Sequence, residues 1–470
     1  MKLDVKVKNL GKIKEADFHI RPMTVITGPN GTGKSFFTKS LYSILNVINK
    51  NIYHEYVIQK IDEIESLLEL FFRTITKLHE NREIPAHINT GDKGSSQDLE
   101  IKLNKLKDEF VAINNYKTSD YCFFAASKVD VVEGIRESYN SYLYDLRNMY
   151  DVGFDKLAAE EINTYFNNFI FQLGNIAHHY SDFFTDDIKN ELKDNFQIPM
   201  LSELISFGEK KIEIEINKLS KIELNDCQVI LNLNSDVIYA ISDLPSVVFF
   251  ESPAYWKVRD ALKSAKNNQN RPRLPKNNND ILTGVPKYFY DLDNVLNIRT
   301  KTEGVFKSAT DLLKSTLGGE FVFKDDNFTF IDNDRREISK HLVSFGMTNL
   351  GMIQALLKYN VITEGSFIFI DEPETNLHPD WQVKLVEVLL MLAKGGVNVV
   401  ITTHSSDLMK ALEVKIKKQQ IDVMEDFLSV HFVDVDGKLL EFESEDKLQQ
   451  LIEARNLLSL AYQQLYFSDL

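Results

Sequence analysis

The chain has 470 residues, of which 43% are hydrophobic, and a formal net charge of −15. That length provides for at least one large core and two or three folding units, while the acidic balance argues against broad coating of nucleic acid, which depends on concentrated Lys and Arg. No apolar run reaches the ~18 residues of a membrane span. The first residues lack a signal-peptide core, and Cys122 and Cys227 stand far apart without metal-ligand spacing, so a reducing, cytoplasmic setting is expected.

Residues 3–8 alternate as a strand, 12–20 continue as a second and 23–27 as a third. The third runs into GPNGTGKS, Gly28 to Ser35, which fits the GxxxxGK[ST] phosphate-loop pattern without a mismatch. Gly28, Gly31 and Gly33 let the backbone bend so that successive N–H groups face one anion, with Pro29, Asn30 and Thr32 completing the loop. Lys34 should reach the β- and γ-phosphates of ATP and Ser35 should hold Mg²⁺. Phe36 onward opens a helix whose positive end faces the phosphates. A Gly-rich turn could match by chance, but strand before and helix after favour phosphate binding.

Residues 51–205 read as a helical insertion, with only five glycines and two prolines. Val57, Ile61, Ile64, Leu68, Phe71, Ile75 and Leu78 alternate steps of four and three, a short coiled-coil-like seam. Ile58, Leu67 and Phe72 widen it toward a bundle. Residues 85–98 are polar and breaker-rich, and further helices are expected at 99–114, 126–150, 155–179 and 187–194. His178, His179 and Asp182 suggest a metal, but no further Cys or His completes a ligand set and a solvated helix end explains them as well.

From 211 the period changes to two, giving expected strands around Ile212–Ile216, 227–233, 237–241 and 247–250. Residues 257–276 hold seven basic residues and one acid. With Arg271, Pro272, Arg273 and Pro275 they read as a flexible loop, solvated or in contact with a polyanion. A helix at 304–317 and a hairpin at 320–331 follow. Then LVSFGM, residues 342–347, precedes a helix at 348–359, where Ser344 and Gly346 could offer a hydroxyl and backbone N–H groups to a phosphate.

The next strand, FIFI at 367–370, ends in Asp371 and Glu372. Two acids at the C-terminal end of a buried strand suggest a Mg²⁺-binding Asp and a Glu that polarises water. A plain helix entry with acids near its positive end is the alternative. A helix at 381–393 and a strand at 397–402 follow, the strand leading into His404, which can contact a γ-phosphate or the attacking water. A hairpin around Asp436–Gly437 and a helix at 447–467 complete the reading.

In this order, GPNGTGKS, LVSFGM, FIFIDEPE, TNLHP and ITTHSS resemble the ABC-type ATPase heads of the SMC/RecF/OLD group. By that resemblance LVSFGM is the signature motif, though Ser344-Phe345-Gly346 replaces an SSG-like core. Residues 374–379 are the D-loop and His404 the switch histidine. The resemblance implies an α/β P-loop fold of ABC-ATPase head type, a mixed parallel sheet plus an antiparallel β-subdomain. The head halves would be residues 1–50 and 206–470. It also implies homo-oligomers built on head-to-head dimers, in which Ser344 and Gly346 serve a partner's nucleotide. Fewer residues follow His404 than a Toprim nuclease domain requires, so the chain resembles the anti-phage ATPases of PARIS and Septu systems. These act with a separately encoded Toprim-like or HNH effector and a DNA or phage-protein trigger. A RecF-like DNA-repair clamp is the alternative, and no membrane contact is expected.

Overall fold

The computed structural model describes residues 2–49, 52–80, 96–113, 118–149, 156–175, 180–218, 220–226, 228–251, 254–269, 284–297, 304–324, 327–419 and 427–460. The chain divides into two compact units, Met1–Asn49 with Thr185–Leu470, and Lys50–Phe184.

Strands β1 (Leu3–Leu10), β2 (Ile13–Ile20) and β3 (Met23–Thr27) lead into helix α1 (Lys34–Asn49). The helical unit follows with α2 (Ile52–Glu80), α3 (Ser96–Ala112), α4 (Thr118–Ser127), α5 (Val129–Met149), α6 (Lys156–Gly174) and the start of α7 (Tyr180–Phe196). In α2 the seam residues Val57, Ile61, Ile64, Leu68, Phe71 and Ile75 are all buried. Phe71 meets Tyr139 at 5.8 Å between ring centroids and Tyr139 meets Phe166 at 6.1 Å, so the aromatics at helical spacing form packed core. The unit ends at Phe184, earlier than the expected 205, because the second half of α7 bonds to the other unit. Asn46 donates to Glu191 Oε1 at 2.8 Å and Asn195 to Ser43 Oγ at 2.9 Å. Residues 85–95, His178, His179 and Cys227 lie outside the described residues.

The chain then continues with β4 (Ile212–Ile216), β5 (Ser220–Leu224), β6 (Val229–Asn232), α8 (Ser235–Ser242), β7 (Val247–Phe250), α9 (Ala254–Lys257), α10 (Arg259–Gln269), α11 (Lys287–Asn297) and α12 (Lys307–Leu317). Residues 237–241, expected as a strand, belong to α8: Asn234 caps it by accepting from Asp236 N, and that cap outweighs the β-branched run. The expected basic loop is helical as far as Gln269, and residues 270–283, with Arg271 and Arg273, lie outside the described residues. Next come β8 (Gly319–Lys324), β9 (Asn327–Asp332), β10 (Glu337–Ser339), α13 (Phe345–Lys358), β11 (Phe367–Asp371), α14 (Pro379–Lys394), β12 (Asn398–Thr403), α15 (Ser406–Lys418), β13 (Leu428–Phe432) and α16 (Lys447–Leu458). The expected second arm of the last hairpin reduces to one bridge, Val433 to Leu439.

Three sheets result, ordered β2-β1-β4-β5-β6, β10-β9-β8 and β13-β3-β12-β11-β7. In the first two the strands run antiparallel. In the third every pair is parallel. Every residue of β3 and β12 is buried, as in a parallel sheet covered on both faces. The register pairs Thr27 with Thr403 and Asp371 with Thr402, which aligns the ends of three strands from distant parts of the chain. Among the described residues, no helix is long and apolar enough to cross a membrane.

Candidate active site

The phosphate loop leaves β3 in a conformation that only glycine tolerates at its first position. Gly28 has φ +137°, and a Cβ there would stand 2.1 Å from the Val433 carbonyl oxygen. Gly33, at φ +104°, packs against Ile13 in the same way. The loop is tied by Thr32 Oγ1 donating to Pro29 O at 3.0 Å, while Asn30 and Gly31 are exposed. Lys34 curls back to donate to Gly28 O at 2.9 Å and Pro29 O at 2.6 Å. Burial holds its ammonium below the usual lysine pKa, and Glu372, Asp371 and Glu374 oppose that shift. Phe36 packs on Phe196 with centroids 5.2 Å apart, fixing the start of α1.

Ser35 and Asp371, 336 positions apart, meet: Ser35 Oγ donates to Asp371 Oδ1 at 3.0 Å. Thr402 Oγ1 donates to the same oxygen. Beyond Asp371 the chain turns out of the strand through Glu372, whose φ of +49° is a left-handed conformation costing a non-glycine residue roughly 1 kcal/mol. The Glu372 N–H donates to Thr402 O at 3.0 Å, and its carboxylate lies 3.2 Å from His404 Nδ1. Both side chains are about two-fifths exposed, so a water could reach them.

Ser344 and Gly346 are tied elsewhere. Ser344 caps α13 by accepting from Met347 N at 3.2 Å. A Cβ on Gly346 would stand 2.5 Å from Asn376 O. Further along α13, Asn349 Nδ2 donates to Pro373 O and Thr375 O at 3.2 and 3.3 Å. The loop after Asp371 is therefore gripped by α13 on one side and by the end of β12 on the other.

Two features escaped the sequence reading. Glu251 directly follows β7, which neighbours β11 in register, and it pairs with Lys39 at 3.4 Å and accepts from Tyr288 Oη. Burial raises its pKa, with Lys39 opposing. Its signal was present, since VVFFE repeats the pattern of FIFID. The paired threonines Thr402 and Thr403 carried no comparable signal.

A hydroxyl and a carboxylate converging on one point are hard oxygen donors of the kind Mg²⁺ takes, in sites where phosphates and water complete the shell. Among the described residues no group of three or more His, Cys, Asp or Glu could hold a metal by itself. The residues present fit MgATP.

The chain belongs to the AAA_15 family of AAA ATPase domains, whose model matches residues 1–409. A curated relative, the Old nuclease of Escherichia phage P2, is 30% identical over 149 residues, 31% of this chain. The chain matches only 24% of that relative's length. The solved structures it resembles include an SMC head domain from Thermotoga maritima, at 12% identity and TM-score 0.34, covering 94% of this chain and 100% of that one. Another is an Smc head domain with an extended coiled coil, bound to the C-terminal domain of ScpA derived from Pyrococcus furiosus. It is 10% identical with TM-score 0.39, covering 96% and 98%.

Proposed function

We propose that the protein is an ABC-type ATP-hydrolysing switch whose nucleotide site joins the phosphate loop to the ends of β11 and β12. The observation that carries this reading is the meeting of Ser35 with Asp371 beside the Glu372–His404 pair. In the working site the loop N–H groups from Gly28 to Ser35 wrap the phosphates, and Lys34 exchanges its two loop carbonyls for β- and γ-oxygens. Ser35 and Asp371 hold Mg²⁺, which when bound neutralises charge developing on the phosphates. Glu372 takes a proton from the attacking water as the water oxygen bonds to the γ-phosphorus and the bond from that phosphorus to the bridging oxygen breaks, releasing ADP and inorganic phosphate, and His404 orients the water.

Ser344 and Gly346 then serve the nucleotide of a second copy, giving head-to-head dimers. Leu342 and Phe345, 81% and 44% exposed beside the Ser344 cap, support a face that a partner covers. In the cell this switch acts as a sensor and scaffold in anti-phage defence, holding a separately encoded effector, a Toprim-like or HNH nuclease. The motif resemblance and the similarity to a phage nuclease support that role. DNA clamping is the weaker reading, because Arg259 and Lys263 of the basic stretch both engage Asp293.

The test is Glu372→Gln, which keeps the shape and removes the base. ATP turnover should fall about 10²-fold, and sizing should show an ATP-dependent larger species. An identical mass with and without ATP sinks the shared site. Co-purification with the neighbouring gene's product, without salt-sensitive DNA binding, separates the scaffold from the clamp.

A further inference from the structure

Glu374 is buried to 8% exposure, although a carboxylate is seldom buried this far without a cation. Its partners are neutral: Thr403 Oγ1 donates to Oε1 at 2.7 Å, and the His404 backbone N–H reaches the same oxygen at 3.4 Å. The second oxygen, Oε2, has no partner among the described residues. A half-satisfied buried carboxyl is a poor way to stabilise a loop, since an apolar side chain would fill the space without the desolvation cost. Its placement suggests what it gives in return.

We propose that Glu374 is a positioning residue for hydrolysis, gripping the end of β12 so that the His404 ring is held against Glu372. The proposal rests on the ATPase reading above. Two ties cross from this loop to β12. The Glu372 N–H donates to Thr402 O, and Glu374 Oε1 accepts from Thr403 and His404. The first fixes the backbone of the base and the second the backbone of the histidine, so the 3.2 Å contact between their side chains depends on both. Asn349, bonded to Pro373 O and Thr375 O, immobilises the backbone on either side of Glu374, so a shift of α13 reaches the Thr403–His404 end of β12 through the Glu374 side chain. Burial also raises the Glu374 pKa, favouring the neutral carboxyl. Only an acceptor at the Oε1 position is needed for the grip, and Gln can supply it.

Full-length Glu374→Ala, Glu374→Gln, Thr403→Val, Thr403→Ser and the Glu374→Ala/Thr403→Val double variant are compared for kcat and for affinity toward a fluorescent ATP analogue with Mg²⁺. Glu374→Ala and Thr403→Val should each lower kcat about tenfold and leave the affinity within about twofold. The double variant should be no slower than Glu374→Ala, and Glu374→Gln and Thr403→Ser should retain kcat within about threefold. Should Glu374→Ala fail to fold, Thr403→Val against Thr403→Ser decides alone. The proposal is overturned if Glu374→Gln is as slow as Glu374→Ala, if the losses add in the double variant, or if affinity falls in step with kcat. Absence of MgATP turnover in the unmodified protein, by contrast, removes the ATPase reading itself.

Discussion

In the helical unit the inward positions of α2 are Val57, Ile61, Ile64, Leu68, Phe71 and Ile75, every one apolar. In the nucleotide unit the ends of β3, β11 and β12 and the segments that follow them bury Thr27, Lys34, Thr402, Thr403 and Glu374. The apolar seam asks only for volume and period, so many sequences satisfy it. Among the buried polar ends, Thr402 donates to Asp371 and Thr403 to Glu374, so a substitution at either threonine strands a carboxylate on another element. One unit should therefore fail by losing stability, and the other by losing chemistry while still folded.

The largest effect expected on that contrast comes from Lys34→Ala. Lys34 is desolvated and holds only loop carbonyls of its own segment, so its removal should leave the melting temperature nearly unchanged. On the proposed role of Lys34 at the β- and γ-phosphates, ATP turnover should drop about 10³-fold or more. A coupled steady-state assay alongside a thermal melt checks both halves, and a large fall in Tm would break the comparison. The converse is Ile61→Ala, at a position fully buried in α2. It should cost about 3 kcal/mol of stability in the helical unit and leave nucleotide affinity intact, as read by denaturant titration against analogue binding. If it abolishes nucleotide binding, the units are not energetically separable.

The same contrast explains which parts were legible from residues alone. GPNGTGKS and FIFIDE carry their chemistry in consecutive residues, so loop, strand and acids were all readable, as was the period of α2. In the α8 segment VIYAI suits a strand by composition, and only the Asn234 cap, a local but inconspicuous signal, marks it as helix. The prolines of the basic stretch at 257–276 point to a loop, yet they lie beyond Gln269, where α10 ends. Glu251 went unread although it follows an apolar run as Asp371 does, because it lacks a second acid. The grip of Glu374 on Thr403 joins residues 29 apart on different elements, and neither residue type announces it. Local periodicity and contiguous motifs survive in one dimension, whereas a polar tie between strand ends exists only once the sheet has set its register.

The mildest way to sharpen the contrast is pH, through His431 on β13. This imidazole is buried, its Nε2 accepts from the His19 backbone N–H at 3.0 Å, and Ser429 Oγ lies 2.8 Å from the same nitrogen. Burial lowers its pKa to about 3; the hydrogen bond with the His19 backbone opposes the shift, and the nearby charges of His19, Lys447 and Arg21 add to it. In the unfolded chain it titrates near 6.5, so between these values the unfolded state binds the extra proton. The contribution is therefore fully present above 6.5 and is lost progressively as pH falls toward 3. Between pH 7 and 5.5 the loss should be roughly 1 kcal/mol. His431→Gln keeps an acceptor for the His19 N–H and has nothing to titrate, so its stability should fall less over that interval than that of the unmodified protein. Parallel curves for the two proteins from pH 7 to 5.5 would mean that His431 takes up its proton in the folded state as easily as in the unfolded one. The buried polar ties of the nucleotide unit would then not make it the more acid-sensitive of the two.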